Sequence, residues 1–526
     1  MSMGKQAKTL MIQGTASTVG KSTLVTGLCR IFAQEGWHVA PFKAQNMALN
    51  SWVTRDGKEM GRAQVVQAEA AGIEPTVEMN PILLKPEGNS RSQVIVMGRP
   101  LAAMEAQEYY RNRSSMLSIV EAALMTLRAE YDLVIIEGAG SPVELNLARH
   151  DLVNMRIARI ANAPVLLVGD IDHGGIFASL LGTLMLLEPP DRERVKALIV
   201  NKFRGDLALW RDGERLLAER SGIPVLGTIP FFRDISIAEE DVVPLDEGTA
   251  AILQSSSRPD TDLLEIVVVR LPYLSNYDEF DALALDPRVR LRFAAGPDEF
   301  PSRPDLIIIP GSKNTLHDLA WLWQRELVRH IRSCARTGSA VLGICGGYQM
   351  LGARVHDQAG AENAINTVEP GLNLLPVETY FAPLKEKVTQ RSWAQLNTRS
   401  TRSLFSHLEG QRFQAYQIHL GYTQNLNDTD DEQTATFMIG DPSALDGSLS
   451  IDGWCAGCYL HGLFENDNFR DGILSALAER RSLSFNLSSY SRSFDRQAEY
   501  DKLAQVLSAS LDIGLLKMLC GLTMHD

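Results

Sequence analysis

Short apolar runs separated by helix-length amphipathic stretches dominate this chain of 526 residues. Thr9-Leu10-Met11-Ile12 opens the pattern as a buried strand, and Leu24, Leu28, Ile31 and Phe32 follow at helical spacing, so a helix is predicted to start near Lys21. His38 to Phe42 and Val94 to Val96 read as further strands bounded by polar turn residues. Asp132 to Ile136, Pro164 to Val168 and Lys196 to Val200 are nearly continuous apolar runs, as central parallel strands require. Strands alternating with helices through about residue 230 predict a parallel sheet covered on both faces. The pattern then lapses into two breaker-rich stretches, Pro244 to Gly248 and Ser255 to Asp260. Fresh strands begin at Glu265 to Val269, Asp305 to Ile309 and Ser339 to Gly343. Later, Asn468 to Ala478 looks helical, and Leu503, Leu507, Leu511, Leu515 and Met518 form a stripe predicting one core-facing helix. The expected fold class is α/β, with doubly wound domains at 1–245 and 263–526 joined by a linker at 246–262.

Composition narrows the possible partners. The chain is too long for a single core. A hydrophobic share of 45% and a charged share of 22% are ordinary for a soluble protein. A net charge of −13 without a long basic run argues against nucleic acid. No apolar stretch reaches the roughly 18 residues of a membrane span, and Met1 to Lys8 is too polar for a secretion signal. Six cysteines in so long a chain do not make a disulfide framework, so a cytoplasmic location is expected.

The chemistry concentrates at strand ends. Gly14 to Thr23 reads G-T-A-S-T-V-G-K-S-T between a strand and a helix. In such a loop backbone N–H groups and the helix N-terminus face phosphates, the lysine adds a point charge, and a hydroxyl ligates Mg²⁺. Gly14, Thr15, Ser17, Gly20, Lys21, Ser22 and Thr23 are therefore the expected ATP cradle, although five residues separate Gly14 from Gly20 instead of the usual four. Lys43, followed by Gln45 and Asn46, ends the second strand, where open α/β sheets bind ligands. Glu137, in Glu137-Gly138-Ala139-Gly140, reaches the same edge and pairs with Ser22 as the expected Mg²⁺ site. Asn201 and Lys202, after a late strand, are candidates for reading the nucleotide base. Asp170 and Asp172 stay open between a second cation, substrate contacts and solvated loop acids.

In the second half, Gly343-Ile344-Cys345-Gly346-Gly347 places a cysteine on a strand-to-helix elbow, which exposes a nucleophile. N–H groups at Gly346 and near Gly311 are the expected oxyanion donors. His461, ending a late apolar strand, is the expected base. His419 is its rival, with a structural or substrate-facing role preferred. Cys455 and Cys458, in Trp454-Cys455-Ala456-Gly457-Cys458, lie in a strand without a second cysteine pair and read as structural.

These residues carry resemblances. The first loop, Glu137-Gly138-Ala139-Gly140 and Asn201 resemble the dethiobiotin synthetase-like P-loop proteins. Gly343 to Gly347 and His461 resemble class I glutamine amidotransferases, which implies a flavodoxin-like sheet for the second domain. That family carries an acid two residues after the histidine, where Leu463 stands here; Glu465 in its place, or a Cys-His dyad, are the alternatives. Over residues 8 to 510 the order and spacing of Phe42 to Ser51, Glu137 to Pro142, Asp172 to Gly175 and Pro310 to Thr315 resemble the cobyric acid synthase family, with Gln417 where a glutamate is more usual. The resemblance implies a ligase that amidates peripheral carboxylates of adenosylcobyrinic acid a,c-diamide with glutamine, ATP and Mg²⁺. A corrinoid and L-glutamine are then the partners, and homo-oligomerisation stays open. The rivals are cobyrinic acid a,c-diamide synthase and a partition-type ATPase carrying an inactive amidotransferase-like domain.

Overall fold

The computed structural model describes residues 6–87, 91–111, 113–146, 151–232, 234–237, 263–362, 365–397, 402–426, 436–440, 444–483 and 495–522. The linker expected at 246–262 lies outside them.

Six strands build the first sheet: β1 (Lys8–Gly14), β2 (Val39–Phe42), β3 (Leu133–Glu137), β4 (Val165–Asp170), β5 (Val195–Phe203) and β6 (Val225–Pro230). Their order is β6-β5-β4-β1-β3-β2 and every pairing is parallel. Helix α1 (Lys21–Gln34) starts at the lysine named by the pattern, and α2 (Arg62–Ala70) packs beside it. Val94 to Val96 does form a strand, but in a separate sheet of Gln45–Met47, Ile82–Pro86, Arg91–Val96 and Arg99–Glu105.

The second large sheet contains β7 (Leu264–Val269), β8 (Val289–Ala294), β9 (Leu306–Ile309), β10 (Ala340–Ile344), β11 (Ser448–Leu449) and β12 (Cys455–Cys458), ordered β8-β7-β9-β10-β12-β11. All pairings are parallel except the short edge strand β11. Helix α3 (Gly346–Leu351) leaves β10 at once. A five-stranded antiparallel sheet, including Arg412–His419 and Leu460–His461, stands over the C-terminal edge and supplies His461.

The C-terminal stripe is two helices rather than one, α4 (Arg496–Ser510) and α5 (Ile513–Cys520). Leu511 is extended, and the Asp512 carboxylate accepts from Leu515 N at 2.9 Å, which caps a new helix. Leu503 and Leu507 are buried against α1, whereas Met518 is 67% exposed. Both helices therefore pack on the core of the first sheet, where Arg30 Nε meets Asp501 at 2.7 Å.

Candidate functional site

The loop after β1 and the ends of β2, β3 and β5 converge on one edge of the first sheet. Gly20 has φ 93°, a left-handed conformation, and a Cβ there would overlap the Asn201 amide. Asn201 Nδ2 donates to Val19 O and Lys202 Nζ to Thr18 O, each at 2.8 Å, so both residues brace the loop. Thr15 N donates to Val168 O at 2.9 Å. Lys21 Nζ lies against the carbonyls of Ala16 at 2.8 Å and Ser17 at 3.0 Å. Ser22 and Thr23 occupy the first turn of α1.

Glu137 is fully buried at the end of β3. Its Oε1 accepts from Ser22 Oγ at 2.7 Å and Lys43 Nζ at 2.9 Å, and its Oε2 from Gln67 Nε2 at 2.5 Å. Burial opposes the carboxylate charge, but Lys43, Ser22 and Gln67 outweigh it and hold the group below the usual range. Asp170 pairs with Lys202 at 3.0 Å and Asp172 with Arg204 at 2.6 Å. Among the described residues no group of three or more His, Cys, Asp or Glu is placed to hold a metal ion.

On the second sheet, Cys345 adopts φ 53° and ψ −110°, strained for a residue with a side chain. The elbow is tight enough that a Cβ on Gly347 would overlap the Ile309 carbonyl oxygen. Cys345 Sγ is 3.3 Å from Ile418 O and opens into a cavity of about 470 Å³ shared with His461, Asn276 and Gln349. Gly311 lies against the imidazole, and Gly346 beside the backbone N–H of Ser312. Lys85 and Gln93, from the first half of the chain, line the same cavity as Lys313 and Lys387 from the second.

The acid beside His461 comes from an unexpected place. His461 Nδ1 is 3.1 Å from Glu279 Oε1, and Gly462 N donates to Glu279 Oε2 at 3.1 Å. Both side chains are 1% exposed. Burial pushes the imidazole down, but Glu279 and the neighbouring Cys345 sulfur outweigh it and raise His461 to about 10. Glu465 faces elsewhere, meeting Arg496 at 2.8 Å. Neither alternative drawn from the missing acid at Leu463 describes this arrangement. His419 stacks on Tyr459 with ring centroids 3.8 Å apart and its Nδ1 meets Gly421 O, while burial lowers it to about 4. Cys455 and Cys458 are free thiols buried within β12.

Comparison with known proteins bears on both sites. Residues 10–245 match the CobQ/CobB/MinD/ParA nucleotide binding domain, and residues 265–469 match the CobB/CobQ-like glutamine amidotransferase domain. A cobyric acid synthase of Dehalococcoides mccartyi is 48% identical over 511 residues, covering 97% of this chain and 98% of that protein. The cobyric acid synthase of Sorangium cellulosum is 46% identical, covering 98% and 99%, and that of Desulfitobacterium hafniense 45%, covering 99% of each. The chain belongs to the cobyric acid synthase family.

Within this family member, the residues named from sequence gather in two places: Gly14 to Thr23, Lys43, Glu137 and Asn201 at one sheet edge, Cys345 and His461 at the other. Sequence reading missed Gln64, Gln67 and Glu279. The two glutamines lie on a helix whose residues are buried nearly all round, so no amphipathic face singles them out. Glu279 sits in a single 3₁₀ turn, Tyr277–Phe280, 182 residues before its histidine. An acidic residue immersed in Asn276-Tyr277-Asp278-Glu279-Phe280 was the available signal, and it is a weak one.

Proposed function

We propose that this chain is an ATP- and glutamine-dependent ligase that amidates peripheral carboxylates of adenosylcobyrinic acid a,c-diamide, giving cobyric acid in the cytoplasm. The observation that carries the reading is near-full-length identity to cobyric acid synthases combined with a phosphate loop and a Cys-His-Glu constellation in one chain.

Cys345 Sγ attacks the glutamine carboxamide carbon, His461 passes the thiol proton to the departing nitrogen, and ammonia leaves a thioester. Water then cleaves the thioester, releasing glutamate and restoring the thiol. Glu279 acts as a positioning residue, fixing the imidazole tautomer and stabilising its protonated form. N–H groups at Gly346 and near Gly311 stabilise the oxyanion. At the other site the loop amides and Lys21 hold the ATP phosphates, and Lys43 steers the substrate carboxylate toward them. The γ-phosphoryl group passes to a carboxylate oxygen, and ammonia displaces phosphate from the acyl phosphate to form the amide. The hydroxyl of Ser22 and the carboxylate of Glu137 are hard oxygen donors 2.7 Å apart, a set that suits Mg²⁺ completed by phosphates and water. When bound, that ion neutralises phosphate charge.

Cys345→Ala is expected to abolish glutamine-driven amidation while ammonium-driven amidation persists, and Lys21→Ala to remove both, as read by corrinoid product analysis. Loss of both activities in Cys345→Ala would refute the division of labour. The same analysis, run with cobyrinic acid and with its a,c-diamide, separates this reading from the diamide synthase. Glutamine hydrolysis by the wild-type chain separates it from a partition-type ATPase.

A further inference from the structure

At about 470 Å³ the Cys345 cavity falls in the range that holds drug-sized ligands, so shape alone does not single out a molecule as small as glutamine. Charge is the remaining discriminator, and two carboxylates line this cavity, Glu87 and Glu362. Glu87 is engaged by Lys313 Nζ at 2.7 Å and by Arg91 Nε at 3.7 Å. Glu362 accepts from Leu316 N at 3.0 Å through Oε2, and among the described residues no cation forms an ion pair with it and no donor reaches Oε1. Leu316 follows Thr315, whose Oγ1 donates to Gln349 Oε1 at 3.1 Å, and a Cβ on Gly346 would lie 3.2 Å from that same hydroxyl. Glu362 is thus anchored to the wall that carries the nucleophile. Asp357, fully buried, accepts from Ala361 N at 2.8 Å and from Glu362 N at 3.0 Å, which fixes the turn presenting the acid.

Burial raises the Glu362 carboxyl to about 8, against the pull of Lys313 and Leu316 N and with a smaller push from Asp357 and Asp318. A cationic guest supplies the partner that the protein withholds, through a charge-assisted hydrogen bond to the carboxylate. Selection of this kind has a purpose in the amidation reading, because the product of that reaction is itself a primary amide. A thiol that accepted any carboxamide would hydrolyse what the other site makes. Glutamine differs from the amides of a corrinoid periphery in carrying an α-ammonium group.

We propose that Glu362 receives the α-ammonium of glutamine, and so admits this amide to Cys345 while refusing primary amides that lack a cation. This rests on the glutamine-hydrolysis half of the reading above.

The test measures hydrolysis of L-glutamine and of 4-carbamoylbutanoate, which is glutamine without its α-amino group, by the full chain and by its Glu362→Gln and Glu362→Asp variants. The wild type is expected to favour glutamine strongly in kcat/KM. In Glu362→Gln that preference should fall about 100-fold, the scale of losing one partner of a buried charge pair, and through KM more than kcat. Glu362→Asp keeps the charge and should keep most of the preference. Ammonium-driven amidation is expected to persist in both variants. An unchanged preference in Glu362→Gln, with both amides hydrolysed as before or slowed in parallel, would overturn the assignment, because the acid would then merely hold the turn at Leu316. Loss of ammonium-driven amidation together with hydrolysis in both variants would make Glu362 a structural residue and overturn it too. Failure of the glutaminase reading itself would appear in the wild type, as hydrolysis of neither amide.

Discussion

At the residue scale, the balance around His461 sets the expected behaviour of the glutaminase. The imidazole is buried, which favours its neutral form, yet the Glu279 carboxylate 3.1 Å away raises it to about 10. A proton held to that pH keeps the imidazolium available across the neutral range as the acid for the departing nitrogen. Glu279→Gln preserves the shape and removes the charge, so burial prevails and His461 loses its proton at a lower pH. The alkaline limb of the glutamine-hydrolysis profile is then expected to move to lower pH. The rate at neutral pH should drop about 10- to 100-fold, the usual cost of losing an orienting partner. Ammonium-driven amidation, measured on the same preparation, should not change. An unshifted alkaline limb would remove Glu279 from the proposed mechanism.

The elbow joining β10 to α3 illustrates the next scale. Cys345 is held at φ 53° because Gly346 and Gly347 let the following turn press directly on the chain leaving β9. Gly347→Ala would drive a methyl into the Ile309 carbonyl oxygen, and backbone on two packed strands has little room to yield. Such overpacking costs about 3 kcal/mol or more, at the upper end for a buried site. Thermal unfolding should show a clearly lowered midpoint, with glutamine hydrolysis lost as the strained cysteine relaxes. Helix α2 carries a different kind of demand. Its first residue, Arg62, reaches Asp278 at 2.7 Å, in the same turn as Glu279, while Gln64 and Gln67 on the same helix reach Glu137. One nine-residue helix thus touches the surroundings of both proposed reaction centres.

For the whole molecule, the contact between the two halves is built from buried ions. Arg62 is 1% exposed, pairs with Asp278 and lies 4.4 Å over the Trp52 ring. The Glu59 carboxylate, from the first half, pairs with Lys85 of the same half at 2.9 Å and with Lys387 of the second half at 2.6 Å. Arg62→Ala would leave Asp278 buried without its cation, a change that costs about 3–5 kcal/mol. Denaturant unfolding should detect that loss, and amide formed per glutamine hydrolysed should fall as the halves loosen. Much of the front site was legible in the chain, since Gly14 to Thr23, Lys43 and Glu137 are close to strand ends that any buried parallel strand must present at one edge. Cys345 was legible for the same reason, being locked into a glycine-bearing elbow whose geometry is local. Asn201 and His461 were legible as residues, while the hydrogen bond by which Asn201 braces the loop at Val19 O was not. Glu279, Gln67 and the helices returning from residue 496 to the first core were not readable, because each acquires its meaning from a partner more than 60 residues away. Sequence alone determined the strand-and-loop units and the glycine-bearing elbow that carries Cys345, since periodicity and turn chemistry act between near neighbours. Only the tertiary structure decided which acid holds the histidine and what lies between the two centres, because burial and electrostatics depend on distance in space and not along the chain.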